Sequence, residues 1–217
     1  MAEIILDLGS GNTCKNNLAI AIKMIDEIIK IDTKKHKIIY KWQLFQKAGD
    51  NIPLKYEIFK LAYNYAQEKG YQTTASVFDT YSLETLMWLE VPFIKIPCRC
   101  SLYWLIGEIP RRYKIYVSCY KDFLNILSGS SGIKMMACVP QYPAKIKEYD
   151  KITDMIFGWV DFADIQYNIS DHTIGLDLFK KYEKKIGVYE CHFCLDDSKG
   201  LDAGPWCKRI TELKEIL

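Results

Sequence analysis

Short β-branched and aromatic runs alternate along the chain with segments whose apolar residues recur at helical spacing. This alternation is typical of a parallel α/β fold. It predicts eight strands, namely Glu3 to Leu8, Lys37 to Gln43, Tyr71 to Ser76, Pro92 to Pro97, Tyr113 to Ser118, Ile133 to Cys138, Ala163 to Ile169 and Gly187 to His192. We therefore expect a compact (β/α)8 TIM barrel, with residues 1–217 forming a single domain.

The connections between the strands are helical to different degrees. Three clear helices are predicted at Asn16 to Lys30, Leu54 to Lys69 and Tyr81 to Glu90. Gly70 stands where a helix commonly ends. The links after strands four, five and six are less clearly helical: only a short turn of helix is predicted at Asp122 to Leu127, and a closing helix is expected at Ile210 to Leu217.

The charge balance and the apolar runs exclude several classes of partner. Lys and Arg total 29 against 27 Asp and Glu, a net charge of +2, and no basic stretch has interleaved aromatic residues. Nucleic acid is therefore not an expected partner. No apolar run approaches the roughly 20 residues that cross a bilayer. Because Met1-Ala2-Glu3 does not begin a signal peptide, we expect a cytoplasmic protein that does not bind membranes.

The predicted strands end in polar residues. In a barrel of this kind, the chemistry lies at the carboxyl ends of the strands. The polar residues at or near these ends are Lys41, Gln43, Ser76, Lys95, Ser118, Ser170, His172, Glu190 and His192. A lysine in an apolar strand, such as Lys95, costs on the order of several kcal/mol unless it has a partner. A bound anion would be such a partner.

Two of the three histidines, His172 and His192, lie at the ends of neighbouring predicted strands. Imidazole binds manganese, iron and zinc, and two protein ligands leave positions open for water and substrate. Hydrogen-bonded structural histidines are the alternative. The third, His36, falls in a run of lysines and is expected at the surface.

The eight cysteines are expected to be reduced, because disulfide frameworks belong mainly to short secreted chains. Most of them fit as small packing residues. A zinc site is a second interpretation, in which some of the thiolates near the mouth would join His172 and His192. The thiols in question are Cys98, Cys100, Cys119, Cys138 and Cys191.

The first strand also offers a competing motif. The run from Glu3 to Gly11 is similar to the first motif of S-adenosylmethionine-dependent methyltransferases, in which a strand leads into a glycine-rich turn. The second strand ends in Lys41 and Gln43, without the acidic residue that would bind the cofactor's ribose. A tight turn between strand and helix is therefore the favoured interpretation.

Several motifs, in order along nearly the whole chain, resemble those of the sialic acid synthase family. They are Ala2-Glu3-Ile4, Lys41-Trp42-Gln43-Leu44-Phe45, Ser76-Val77-Phe78-Asp79, Val91-Pro92-Phe93-Ile94-Lys95-Ile96-Pro97, Cys138 followed by Tyr142-Pro143, Ser170-Asp171-His172-Thr173 and Glu190-Cys191-His192-Phe193. The resemblance implies condensation of phosphoenolpyruvate with an acyl-amino sugar of the N-acetylmannosamine type. The product would be a nonulosonic, sialic-type acid, with release of phosphate.

The resemblance also implies roles for individual residues. His172 and His192 would hold a divalent metal, usually Mn²⁺, with Mg²⁺ or Zn²⁺ as alternatives, and Glu3 would be an acid or base near the reacting carbons. The residues that would bind phosphoenolpyruvate are Lys41, Ser76, Lys95, Ser118 and Ser170, and those that would face the sugar are Gln43, Tyr142 and Asp202.

Some family features are missing. Cys98-Arg99-Cys100 stands where the family has Ser-Gly-Glu, and Pro140 stands where an asparagine is expected. These departures favour an alternative, a catalytically degenerate barrel that binds metal and a phosphorylated ligand without condensation. The family's antifreeze-like C-terminal domain does not appear in the sequence, so the resemblance leaves a homodimer open.

Overall fold

The structure, a computed structural model, describes residues 1–47, 49–121, 132–157, 166–198 and 202–217. Eight strands pair in parallel in chain order, and the eighth pairs with the first to close a barrel. They are β1 (Glu3–Asp7), β2 (Lys37–Leu44), β3 (Gln72–Val77), β4 (Ile94–Ile96), β5 (Ile115–Cys119), β6 (Ile133–Cys138), β7 (Tyr167–Asp171) and β8 (Ile186–His192). The prediction of a (β/α)8 barrel is confirmed.

The strand ends differ from the predicted ends where the local chemistry intervenes. β4 is three residues long, because Pro92 and Pro97 lack the N–H groups that would extend its pairing. β7 begins at Tyr167 and continues through Asp171, two residues beyond the predicted end. Residues 163–165 of the predicted strand lie outside the described residues.

Eight α-helices lie in the described parts of the chain. They are α1 (Gly11–Cys14), α2 (Leu18–Ile31), α3 (Tyr56–Glu68), α4 (Thr80–Met87), α5 (Leu105–Glu108), α6 (Ile146–Phe157), α7 (Asp177–Tyr182) and α8 (Ile210–Leu213). The side chains of Asn17 and Asp79 cap α2 and α4, each accepting a backbone N–H of the first turn. The predicted turn at Asp122 to Leu127 lies outside the described residues.

The helix α6 was not predicted, although its sequence is amphipathic. Tyr149, Ile152 and Ile156 recur three and four residues apart and are buried against the barrel. The predicted closing helix is shorter than expected, since α8 ends at Leu213 and the last residues form a turn. None of the helices in the described residues is long and apolar enough to cross a membrane.

Alternate residues of each strand face the inside of the barrel. In the middle of the barrel, these residues form one apolar cluster: Ile5, Ile39, Phe93, Tyr116, Met136 and Val188. The other face of the strands packs against the helices in a second, larger core. The cluster around Ile5 and Phe93 in the middle of the barrel, which we call the apolar plug, closes the barrel below its upper end. The polar side chains above the plug therefore line a cavity and not a pore.

Candidate active site

A cavity of about 280 Å³ opens at the carboxyl ends of the strands. Its described lining is mostly polar and comes from all eight strands and the loops that follow them. The residues that line it are Asp7, Lys41, Gln43, Phe45, Asn51, Ser76, Phe78, Lys95, Pro97, Cys98, Arg99, Ser118, Cys138, Pro140, Tyr142, Ser170, His172, Glu190 and His192. Nine of these were predicted as site residues from the sequence, namely Lys41, Gln43, Ser76, Lys95, Ser118, Tyr142, Ser170, His172 and His192.

Two buried lysines lie at the floor of the cavity. Lys41 Nζ donates to Asp7 Oδ2 at 2.6 Å and to Ser76 Oγ at 2.9 Å. Lys95 Nζ donates to Ser118 Oγ at 2.6 Å and makes a long contact of 3.4 Å with a backbone carbonyl. An ammonium group has three N–H donors. Each lysine therefore has one donor left over after its hydrogen bonds to the described residues.

Asp7 and Glu190 balance the charge of these lysines. Glu190 lies 3.8 Å from Lys41 Nζ and 3.6 Å from Lys95 Nζ. Burial would raise the pKa of Glu190, but the two lysines outweigh it and lower that pKa. Burial would likewise lower the pKa of Lys41, whereas Asp7 and Glu190 raise it. Lys41 and Glu190 are thus charged at neutral pH, and with Asp7 and Lys95 they form a compact network of lysines and carboxylates at the floor.

His172 and His192 lie side by side above this network, with ring centroids 5.3 Å apart. His172 Nδ1 donates to the carbonyl of Val139 at 2.8 Å, so a neutral His172 ring presents Nε2 as its acceptor. His192 Nδ1 is buried and has no hydrogen-bond partner among the described residues. Two converging imidazoles, one with an orphaned nitrogen, fit a divalent metal.

The protonation of the two rings differs. Burial lowers the pKa of His192, and the neighbouring His172 and Lys41 reinforce this effect against the opposing charge of Asp7. Burial also disfavours charged His172, but Cys138, whose thiol lies 3.9 Å from Nδ1, raises the pKa of His172. His192 is therefore the ring that remains neutral, the form that coordinates metals. Binding of a metal to His172 would compete with a proton.

Aromatic rings close one side of the mouth. The ring of Tyr142 stacks on His172 with centroids 4.0 Å apart and meets Trp206 edge-on at 5.3 Å. Tyr142 is half exposed, and it is joined to Pro143 by a cis peptide bond. An exposed aromatic face beside polar groups is a surface on which the apolar face of a sugar ring can pack.

Glu3 lies at the opposite end of the barrel, so its expected place near the reacting carbons is wrong. It accepts a hydrogen bond from Tyr116 at 2.8 Å and pairs with Lys37 at 3.1 Å. Glu3 and Asp7 are four residues apart on β1 and face inward on the same side. The apolar plug, which includes Ile5, separates them, and the acidic residue at the mouth is Asp7.

A known protein family matches most of the chain. The model of the NeuB family matches residues 25–216, most of the chain. The chain belongs to the NeuB family. No curated protein sequence matches it.

Solved structures resemble the NeuB-family barrel in fold. The crystal structure of an N-acetylneuraminic acid (sialic acid) synthetase from Leptospira borgpetersenii, in complex with citrate, has a TM-score of 0.77 at 21% identity, covering 98% of this chain and 80% of that one. A spore coat polysaccharide biosynthesis protein E from Chromobacterium violaceum has a TM-score of 0.79 at 15% identity, over 99% and 72%. SpsE from Bacillus subtilis has a TM-score of 0.75 at 20% identity, over 99% and 65%.

The unusual residues of this NeuB-family member lie in the cavity wall. Cys98, Arg99 and Pro140 all line the cavity. The Arg99 guanidinium lies over the ring of Phe78, 5.4 Å from its centroid. Three of the four residues that depart from the family's motifs thus line the cavity, whereas Cys100 is exposed, and Lys41 and Lys95 are retained.

The cysteines do not assemble a closed zinc site in the described residues. Cys98 and Cys138 line the cavity, but Cys119 and Cys191 are buried on the helix-facing side, and Cys100 is exposed. No group of three or more His, Cys, Asp or Glu side chains arranged to hold a metal occurs in the described part of the chain. A metal would therefore take His172 and His192 as its protein ligands, with water or substrate completing its coordination.

Asp202 lies beside the cavity and is not part of its described lining. Its Oδ2 accepts hydrogen bonds from the amide and the hydroxyl of Ser10, at 3.2 and 2.9 Å. Asn12 makes a longer contact with the same oxygen and donates to Asn51, which does line the cavity. A Cβ at Gly9, where φ is +75°, would meet Thr13 Oγ1 at 2.0 Å. Asp202 therefore holds the turn after β1, and its expected contact with the sugar stays a prediction.

Asp7 was not predicted as a site residue from the sequence, and Glu190 was predicted at a strand end without a role. Asp7 accepts from Gly9 N, Lys41 Nζ and Gln43 Nε2, at 2.9, 2.6 and 3.0 Å. Its sequence signal was an acidic residue at the end of a strand, directly before a glycine-containing turn. The position of Glu190 two residues before His192 placed it on the same inward face.

Proposed function

We propose that this NeuB-family chain condenses phosphoenolpyruvate with an acyl-amino sugar to give a nonulosonic acid and inorganic phosphate. The observation that carries the proposal is the pair of buried lysines, each bonded to a serine hydroxyl, directly below two converging histidines. A dianionic phosphate and a carboxylate need several charge-assisted donors held in place before binding. Membership of the NeuB family supports the same reaction class.

The side chains of the floor would bind and orient phosphoenolpyruvate. Lys41 and Lys95 each have a remaining N–H donor for its anionic oxygens, and Ser76 and Ser118 are fixed by the same lysines. Ser170 is oriented through its hydrogen bond of 2.9 Å to Glu190. Because these donors are buried and already placed, little reorganisation is needed when charge develops on the phosphate that leaves.

The upper wall would bind the sugar aldehyde. His172 and His192 would hold a divalent metal, Mn²⁺ first among the candidates, which when bound supplies Lewis-acid polarisation of the aldehyde oxygen. Tyr142 would pack against the sugar, with Gln43 as a hydrogen-bonding neighbour. The C=C electrons of phosphoenolpyruvate form a bond to the aldehyde carbon, and the C=O electrons of the aldehyde move to its oxygen. Water adds to the adjacent carbon, and the new hydroxyl becomes the ketone as the C–O bond to phosphate breaks. Of the two protons of the water, one ends on the former aldehyde oxygen and one on the phosphate.

Glu190 would receive the proton from the attacking water. Its carboxylate is ionised, since Lys41 and Lys95 lower its pKa in spite of burial. Glu190 Oε2 has no hydrogen-bond partner among the described residues, so it can accept this proton. Asp7 is bonded at both oxygens and instead holds Lys41 and Gln43 in place.

Phosphate release from phosphoenolpyruvate, measured with Mn²⁺ and a panel of acyl-amino sugars, tests the proposal. Product mass should equal sugar plus pyruvate. We expect Lys95→Met to lower kcat/KM by on the order of 100-fold, as loss of one preorganised donor does elsewhere. Lys151→Met is the matched control, because the side chain of Lys151 is 70% exposed and pairs with Glu148 of its own helix.

The alternative function, binding without condensation, rests on Cys98 and Pro140 in the cavity wall. It predicts that phosphoenolpyruvate and Mn²⁺ bind to the wild type, that Lys95→Met weakens phosphoenolpyruvate binding, and that no sugar releases phosphate. If phosphoenolpyruvate does not bind to the wild type at all, both functions are excluded.

A further inference from the structure

Lys208 is a fully buried lysine that lies outside the cavity, in the segment after β8. Its Nζ donates to the carbonyl oxygen of Thr173 at 2.6 Å and lies 3.2 Å from Asp171 Oδ2. Its backbone N–H donates to the carbonyl of His192 at 2.8 Å. One residue thus contacts the chain on both sides of His172 and also the backbone of His192 itself.

Burial of this ammonium group is costly and requires an explanation. Removing a charged lysine from water costs on the order of several kcal/mol of hydration free energy, and only well-placed partners offset this cost. An apolar side chain would fill the same volume without that cost. Because Lys208 does not line the cavity, its charge is directed at Asp171 and Thr173, the two neighbours of His172 in the chain.

We propose that Lys208 is a positioning residue that fixes the distance between the His172 and His192 rings. Its side chain holds the backbone of the strand end that carries His172, and its backbone amide holds the strand end that carries His192. The inference rests on the proposed function, because the pair of histidines matters most if it binds a metal. Lys208 itself touches neither metal nor substrate.

The bonds around Asp171 make this linkage stiff. Its Oδ1 accepts the backbone N–H of Thr173 at 2.6 Å, and its Oδ2 accepts the hydroxyl of Tyr189 at 2.5 Å. The backbone N–H of His172 donates to the hydroxyl of Tyr149 at 3.0 Å. The backbone around His172 is therefore held from both neighbouring elements, and Lys208 is the member of this network that extends to His192.

The test measures the affinity of the folded protein for Mn²⁺ alone, by titration with detection of free Mn²⁺ by electron paramagnetic resonance. Lys208→Met should weaken Mn²⁺ binding by roughly 10- to 100-fold, the range for residues that orient metal ligands. Lys208→Arg, which keeps the charge and the donors, should recover most of the affinity. The control, Lys180→Met, removes an exposed lysine paired with Glu215 and should leave affinity unchanged.

Thermal unfolding of the metal-free proteins separates positioning from stability. A purely structural role would lower the Tm of Lys208→Met while leaving the Mn²⁺ affinity of the folded variant unchanged, and that result would overturn the inference. Should Lys208→Met not fold, Asp171→Asn removes the carboxylate partner of Lys208 with little change in volume. Asp171→Asn is then expected to weaken Mn²⁺ binding as Lys208→Met would. An unchanged Mn²⁺ affinity of Asp171→Asn would overturn the inference.

His172→Ala and His192→Ala tell failure of this inference from failure of the proposed function. If both variants lose Mn²⁺ binding and Lys208→Met does not, only the role of Lys208 is wrong. If the wild type does not bind Mn²⁺, or if the histidine variants bind it normally, the metal site of the proposed function is wrong, and the inference is overturned with it.

Discussion

Asp7 shows how one carboxylate can organise the floor of the cavity. Its two oxygens accept hydrogen bonds from Lys41, from Gln43 and from the amide of Gly9. Burial alone would raise the pKa of Asp7, but the ammonium group of Lys41 overcomes this and holds that pKa well below its usual range. The carboxylate is therefore charged, and it compensates a lysine that is equally buried.

Asp7→Asn should destabilise the protein by about 3 to 5 kcal/mol at pH 7, because it leaves the buried Lys41 without its main counter-charge. Glu3→Gln, on the same strand, should cost no more than about 1 kcal/mol, since Glu3 and Lys37 form a partly exposed pair. Urea unfolding of both variants measures the difference. Equal losses in the two variants would contradict the assignment of Asp7 to a buried ion pair.

The stability difference between wild type and Asp7→Asn should also depend on pH. A carboxylate whose pKa is lower in the folded than in the unfolded protein stabilises the fold above its unfolded pKa, about 3.9 for aspartate. Its contribution is lost as the pH falls from there towards the folded pKa. The difference in unfolding free energy should therefore be constant near pH 7 and shrink below about pH 4. If the difference stays the same at acid pH, the pKa of Asp7 is not lowered in the folded protein.

At the scale of the elements, the positions of the strands in the chain could be predicted from the sequence. The level along the barrel axis at which an inward-facing residue lies could not. Lys41, Ser76 and Lys95 were placed in one site because each lies at or near the carboxyl end of a predicted strand, and period-two alternation agrees with their inward direction. The same alternation puts Glu3 and Asp7 on one face, but only the barrel's apolar middle layer determines which of them meets the cavity. Contacts between distant segments, such as Lys208 with Thr173, have no local sequence signal.

The helix α6 contacts the backbone of the candidate site through one tyrosine. Its Tyr149 is buried, and the hydroxyl donates to the carbonyl of Ser170 at 2.7 Å and accepts the amide of His172 at 3.0 Å. A helix missed in the sequence thereby contributes the hydroxyl that bonds the backbone at two predicted site residues. The apolar spacing of α6 was visible, but its partner atoms on β7 were not.

Tyr149→Phe should destabilise the protein by about 1 to 3 kcal/mol, because it removes one hydroxyl and leaves two buried backbone groups without their partner. It should also weaken Mn²⁺ binding, since the backbone at His172 loses an anchor. Tyr81→Phe, at an exposed tyrosine, should change the free energy of unfolding by less than about 0.5 kcal/mol. Chemical denaturation and Mn²⁺ titration of both variants measure these effects. If Tyr149→Phe keeps the stability and the Mn²⁺ affinity of the wild type, Tyr149 does not anchor the backbone at His172.

At the scale of the whole molecule, the two ends of the barrel are built for different purposes. At the lower end, Glu3 pairs with Lys37 and accepts a hydrogen bond from Tyr116. The upper end buries two lysines and two carboxylates around a cavity, an arrangement that favours ligand binding over stability of the empty protein. An anion bound at this end supplies acceptors for the lysine donors that the described residues leave over, so ligand and fold should stabilise each other.

This coupling predicts a ligand-dependent melting temperature. At 100 times its Kd, phosphoenolpyruvate should add about 2.7 kcal/mol of stability, which for a chain of this size raises Tm by roughly 5 to 11 °C. At the same concentration, a Lys95→Met variant with 100-fold weaker binding should gain only about 0.4 kcal/mol. Differential scanning calorimetry of both proteins with and without phosphoenolpyruvate measures the shifts. Equal shifts would mean that the anion binds away from Lys95, and would remove the lysine network from the proposed site.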